Sequence, residues 1–269
     1  MKIPFTKAHG AHNDFLLTWL GGAPEGDPSA FARAICDRHT GIGADGWMVV
    51  SPAAGADSDG GIQLYNSDGS SAEISGNGTR CAAAFLIQHG HPSEEVRIRT
   101  GAGVKTLRLL DRRDLWFEFE MNMGSPQIAS VRFQLPLSAG PRDITIVWVG
   151  NPQCAMPVDN FDFDWRALGA EIESHSYFPK RTNVSFLKPV DDHTIDVRFY
   201  ERGAGETMSS GTGSTGAAAA AVARGLVQPP VRVLTPAGPI HLRFDDDVFL
   251  TGPAEILGEG EYFLPLSGC

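Results

Sequence analysis

The chain has 269 residues and a formal net charge of −10, with 42% hydrophobic and 20% charged residues. That length supports a sizeable core in one or two domains, and the composition is that of an ordinary globular chain rather than a disordered or fibrous one. The acidic balance disfavours a phosphate backbone as partner, so no nucleic acid is expected. The N-terminal MKIPFTKAHG lacks the apolar run of a secretory leader, and no window approaches the ~18 apolar residues of a membrane helix. No membrane association is therefore expected, and the reading is cytoplasmic. Cys36, Cys81, Cys154 and Cys269 lie far apart, form no CxxC, and read as free thiols rather than a disulfide framework. The histidines form no HExxH. His89 and His91 read as a solvated helix end, and no metal is expected.

In chain order, IQLY (62–65) reads as a strand ending in Tyr65. The glycine-rich turn SGNG (75–78) follows, then an alanine-rich run over 79–89 with high helix propensity, closed at Gly90 where a C-cap glycine belongs. A β-branched strand begins at Val96, and WFEFEMNMG (116–124) and TIVWVG (145–150) alternate as strands do. IDVRFY (195–200), SGTG (210–213), a second alanine-rich run over 214–224, Gly225 and a strand from Val231 then repeat the earlier series. VFLTGPAEI (248–256) is the last alternating segment.

That recurrence is an internal duplication. Shifted by 135 residues, Tyr65–Arg108 lies on Tyr200–Arg243 without a gap, and 15 of the 44 positions are identical. A period this long is not a solenoid repeat; it indicates two copies of one domain. The expected class is α+β: two pseudosymmetric halves, each a twisted sheet or barrel around a central Ala-rich helix, with the active site in the cleft between them. The expected boundaries are 1–122 for the N-terminal half, completed by the last residues at about 260–269, and 123–259 for the C-terminal half.

A glycine-rich turn opening a helix presents backbone N–H groups at the positive end of the helix dipole, which suits a carboxylate. One such turn is usually an ordinary N-cap. Two at equivalent places in a duplicated fold suggest that both hold one small carboxylate. They would also place Ser75 and Ser210 on opposite faces of one α-carbon. Inversion of a carbon centre needs such an arrangement, with a base on one face and an acid on the other.

At these residues the chain resembles the diaminopimelate epimerases, within the wider group that includes the cofactor-independent proline racemases. The matching stretches, in order, are FTKAHGAHNDF (5–15), DRHTGIGADG (37–46), YNSDGSSAEISGNGTRC (65–81), GNPQC (150–154), RTNVSF (181–186), YERGAGETMSSGTG (200–213) and GPAEI (252–256). The resemblance implies a cofactor-independent, two-base interconversion of LL- and meso-diaminopimelate, on the route to lysine and peptidoglycan precursors. It implies a small-molecule amino-acid substrate, and it leaves a homodimer open. Asn13, Asn66, Asn151, Asn183 and Arg202 match positions that contact the substrate's amino and carboxylate groups. Gly76 with Asn77, and Gly211 with Thr212, match the helix starts that hold the α-carboxylate. Glu201 matches a residue beside the reacting centre.

The departures bear on catalysis. Serine stands at both positions, 75 and 210, where the family keeps its catalytic cysteines. Gln153 stands where GNPHC has histidine, and His12 where a glycine is usual. A thiol near pKa ~8.5 is brought toward neutrality by a helix N-terminus, whereas a serine hydroxyl is a far weaker acid. Serine needs an adjacent base, and Glu201, acting through Ser210 or a water, is the best remaining one. Cys81 lies six residues beyond Ser75, ~9 Å along a helix axis, too far to substitute. Three readings stand open on the sequence: an epimerase impaired by its serines, a related isomerase or lyase of the proline racemase type, and a non-catalytic amino-acid-binding paralogue.

Overall fold

In the computed structural model, which describes residues 2–264, the chain forms two compact units. One comprises the residues up to Met121 and those from Gly252 onward; the other is Asn122–Thr251. Of the C-terminal segment 260–269, and of the cysteines, residues 265–269 with Cys269 lie outside the described residues.

The first unit contains strands β1 (Lys2–Gly10) and β2 (Asn13–Trp19), helix α1 (Pro28–Cys36), β3 (Gly46–Gly55), β4 (Ser58–Asn66), the short β5 (Ser71–Ala72), helix α2 (Gly76–Gln88), β6 (Glu95–Thr100), β7 (Gly103–Arg113) and most of β8 (Trp116–Gly124). The second contains β9 (Gln127–Leu135), β10 (Arg142–Trp148), β11 (Pro152–Pro157), α3 (Trp165–Glu173), β12 (Asn183–Asp191), β13 (Thr194–Glu201), β14 (Gly205–Thr207), α4 (Gly211–Ala223), β15 (Val231–Thr235) and β16 (Gly238–Phe244). The chain then returns to the first unit within β17 (Val248–Phe263).

In the first unit the strands follow one another as β17–β1–β2–β3–β4–β6–β7–β8. The ring closes from β8 to β17, where Ile256 N–H donates to Leu115 C=O at 3.0 Å. Inside lies α2, which packs on β1, β2, β4, β6 and β7 and is buried from Gly76 to Leu86. In the second unit β9–β10–β11–β12–β13–β15–β16 are paired in sequence around α4, buried from Gly211 to Ala221. Among the described residues, no helix is long and apolar enough to cross a membrane.

The duplication extends to hydrogen-bond register. Leu64 pairs with Ala72 and Tyr65 with Ser71; 135 residues later Phe199 pairs with Thr207 and Tyr200 with Glu206. The parallel pairs Gly60–Ile98 and Gly61–Arg99 recur as Ile195–Val233 and Asp196–Leu234. Both central helices also end alike. Gly90 (φ 95°) and Gly225 (φ 70°) occupy the left-handed position after the last turn. Their N–H groups bond Ile87 and Val222, and those of the next residues bond Leu86 and Leu226's partner Ala221, the paired bonds of a Schellman motif. Alanine suits such helices because it loses no side-chain entropy and lets strands approach from every side; Ala217–Ala221 are all at most 5% exposed.

Candidate active site

Each unit has one constellation, built around the start of its central helix. In the first, Ser75 is the N-cap of α2, with φ −127° and ψ 123°, and its Oγ accepts the Gly78 N–H at 3.1 Å. In the second, Ser210 is the N-cap of α4, with φ −140° and ψ 123°, and accepts the Gly213 N–H at 3.0 Å. The capping role suggested by a single turn is present in both copies, and contributes about 1 kcal/mol to each helix. It leaves the first-turn amides of Gly76 and Asn77, and of Gly211 and Thr212, at the positive helix ends. Ser75 is half-buried and Ser210 is buried.

A strand-end asparagine braces the second residue of each helix. Asn77 Nδ2 donates to Asn13 Oδ1 at 3.2 Å, and Asn151 Nδ2 donates to Thr212 Oγ1 at 3.4 Å. Asn13 is held in turn by Asp45, whose Oδ2 accepts from Asn13 Nδ2 at 2.7 Å. Arg38 bridges Asp45 and Asp14 at 2.8 and 2.7 Å, and Lys7 reaches Asp14 at 3.1 Å. Burial alone would raise the Asp14 pKa, but the hydrogen bonds from Arg38 and Lys7 outweigh it and hold the carboxyl below its ordinary 3.8. Asn151 is held by Gln153, whose Nε2 donates to Asn151 Oδ1 at 2.7 Å.

Beneath the α2 turn lies a fully buried guanidinium. Arg80 donates to Asn77 Oδ1 at 2.5 Å, Gly76 C=O at 3.3 Å and Pro253 C=O at 3.0 Å, all uncharged oxygens. Burial pushes its pKa down to about 10. A cation without a carboxylate among these acceptors adds to the positive potential at the helix start, where an anion gains from it.

In the second unit, Ser210 Oγ–H donates to Glu201 Oε1 at 2.6 Å, and Thr207 Oγ1–H donates to Glu201 Oε2 at 2.9 Å. Asn183 Oδ1 accepts the Arg202 backbone N–H at 2.9 Å, and Arg202 Nη1 donates to Lys180 C=O at 3.1 Å. The loop bearing Lys180 is anchored at its base, where Arg181 (φ 58°) donates to the buried Glu173 Oε2 at 2.5 Å. Burial pushes the thiols of Cys36 and Cys81 up to about 12 and that of Cys154 higher still, so none is an accessible thiolate near neutral pH.

Of the residues singled out from sequence, Ser75, Gly76, Asn77 and Asn13 form one connected group. Asn151, Gln153, Gly211 and Thr212 form a second, and Ser210 with Glu201 and Arg202 with Asn183 lie on the adjoining strand and turn. Asn66 hydrogen-bonds elsewhere: its Nδ2 donates to Ser70 Oγ at 2.9 Å within the β4–β5 turn. The sequence reading missed Thr207, although it lies inside YERGAGET. It also missed Arg80, inside SGNGTRC, and the Asp14–Arg38–Asp45 network, whose members are separated too widely to pair by spacing.

The arrangement is that of the racemase and epimerase fold. A hydroxyproline epimerase from Agrobacterium vitis superposes with a TM-score of 0.77 at 17% identity, covering 97% of this chain and 92% of that one. A phenazine biosynthesis protein of the PhzF family from Bacillus anthracis gives 0.72 at 15% identity, over 98% and 100% of the two chains. The family model of diaminopimelate epimerase matches residues 5–129 and 145–257. Diaminopimelate epimerase from Pelotomaculum thermopropionicum is 36% identical over 279 residues, spanning 96% of this chain and 98% of that one. Its counterpart from Azoarcus sp. is 37% identical over 281 residues, spanning 98% and 100%. The chain belongs to the diaminopimelate epimerase family, and is an isomerase of the amino-acid epimerase type acting on a small molecule.

Proposed function

We propose that the chain binds diaminopimelate and interconverts its LL and meso forms without a cofactor, slowly, because serine occupies both acid–base positions. The observation that carries the reading is the pair of serine-capped helix starts, each braced by an asparagine, with Arg202 bonded to Asn183 in the second unit. In this reading the α-carboxylate lies on the first-turn amides of residues 76–77 and 211–212, and Arg202 takes the distal carboxylate. Ser75 and Ser210 then serve the two faces of one α-carbon. The electron pair left when the α-proton departs spreads into a carboxylate whose charge both helix ends and Arg80 stabilise. Stabilised in this way, the carbanion is reached slowly because neither hydroxyl has a pKa near neutrality.

Calorimetry with LL- and meso-diaminopimelate, alongside a chiral turnover assay, tests the reading. Binding of both with slow interconversion is expected. Binding without any interconversion favours an amino-acid-binding paralogue, and no heat or competition with either ligand removes the substrate assignment.

A further inference from the structure

The 135-residue equivalence pairs Ser75 with Ser210, and these two capping serines share dihedrals and capping bond. Their surroundings are not alike. The equivalent of Glu201 is Asn66, and the equivalent of Thr207 is Ala72. In the second unit the carboxylate accepts Ser210 Oγ–H at 2.6 Å, the length of a charge-assisted bond, and Thr207 fixes its other oxygen. In the first unit the equivalent side chain is an amide, which neither takes up nor releases a proton at neutral pH. It is turned into its own strand connection, onto Ser70. Among the described residues, Ser75 Oγ is held by the Gly78 N–H and no carboxylate hydrogen-bonds to it.

We infer that the chain carries a complete proton relay on one face only, Glu201 acting through Ser210, so that it exchanges the α-proton of one epimer with solvent faster than it inverts that centre. The inference rests on the reading that the site binds diaminopimelate. The step balances as follows. The Cα–H bond breaks as Ser210 Oγ takes the proton; the Ser210 O–H bond breaks as Glu201 Oε1 takes that one. The electron pair stays on the substrate, delocalised into its α-carboxylate. Ser210 Oγ has the lone pair this needs, since its hydrogen goes to Glu201 and only one lone pair accepts the Gly213 N–H. The carboxylic acid on Glu201 exchanges its hydrogen with water, and the reverse path delivers a solvent hydrogen to the same face. Inversion instead requires Ser75 to deliver a proton to the other face with no base or acid behind it.

The test is incubation of the native protein with LL- or meso-diaminopimelate in D₂O. Early time points are separated by configuration and read by mass spectrometry, with calorimetry of the same samples reporting binding. The expected result is that one of the two substrates gains deuterium with its configuration retained, before labelled inverted product accumulates, while the other gains none on that timescale. Glu201→Gln, nearly isosteric, should lower this exchange by about 10²–10⁴-fold while binding persists. Ser75→Cys should convert exchange into inversion to a greater extent than Ser210→Cys, because it supplies the face that lacks a relay. Label found only in inverted product, at equal rates from both substrates, would overturn the relay. So would undiminished exchange in Glu201→Gln, or binding with no exchange in either substrate; in these cases the substrate assignment stands. Absence of binding removes the assignment and the relay together.

Discussion

Gln153 donates its amide to Asn151 Oδ1 at 2.7 Å, and its own Oε1, buried against α4, has no hydrogen-bond partner among the described residues. The contact with α4 is close: a side chain at Gly216 would meet Gln153 Cβ and Cγ at 3.1 Å. Through Asn151 this amide reaches Thr212 in the first turn of α4. An amide in this place orients its neighbours but moves no proton. Gln153→His should therefore raise turnover in a Ser210→Cys background, which supplies a thiol for an imidazole to help ionise, and leave the serine background nearly unchanged. Chiral turnover assays of the four combinations check this; an equal gain in both backgrounds would refute it.

The second prediction concerns the β1–β2 hairpin. Gly10 faces Asn13 across a two-residue loop, Ala11 and His12, with φ 49° and 62°. Two positive values define a turn whose twist matches the flanking strands, and for which glycine or asparagine is the usual choice. A left-handed non-glycine residue costs about 1–2 kcal/mol, offset in part by the unfolded-state entropy of glycine. His12→Gly should raise unfolding free energy by about 0.5–1 kcal/mol, seen as a higher denaturation midpoint at unchanged slope. A fall in the midpoint would show that the His12 contact with the His9 ring outweighs the strain.

How much of this was legible in sequence depends on the range of the interaction. The duplication, both central helices and the glycines that end them follow from local chemistry, namely alanine propensity, serine caps and left-handed glycine, and so appear as patterns at fixed spacing. The matching strand registers follow once the duplication is seen. What supports the constellations does not read locally. Arg80 looks like a surface helix residue until its burial against Pro253 is known, 173 positions away. Asp45 and Asp14 look like loop acids until Arg38 is seen between them. Asn66 matched a substrate-contacting position and Glu201 one beside the reacting centre; only the hydrogen bonds show one bracing a turn and the other bonded to a serine.

The third prediction follows from Asp14, whose carboxyl Arg38 and Lys7 hold below the ordinary 3.8. A depressed pKa means that the unfolded chain binds the proton first. The stabilisation is therefore complete above about pH 4 and is lost as pH falls through the folded value. Asp14→Asn should be less stable than the parent near neutral pH and should lose less between about pH 4 and 2. Parallel acid unfolding curves for the two proteins would contradict this.

Arg202 supplies the fourth. Its backbone is fixed on Asn183 and its guanidinium bonds Lys180 C=O, on the loop anchored by Glu173 and Arg181. If it takes the distal carboxylate, Arg202→Ala weakens diaminopimelate binding by about 2–5 kcal/mol. Glutamate, with a distal carboxylate on a shorter chain, and alanine, with none, calibrate the loss in the same calorimeter. Unchanged affinity for diaminopimelate would remove the role.

The most direct measurement compares turnover of LL-diaminopimelate by the native chain, by Ser75→Cys, by Ser210→Cys and by the double replacement. Each matched acid–base group contributes about 10²–10⁴-fold, and inversion needs both faces. The account predicts that the double replacement exceeds the native chain by several orders of magnitude, with effects that do not add across the singles, while ligand affinity changes little. A native chain turning over at an ordinary enzymatic rate, on the order of 10 s⁻¹, or a double replacement that gains nothing, would contradict it.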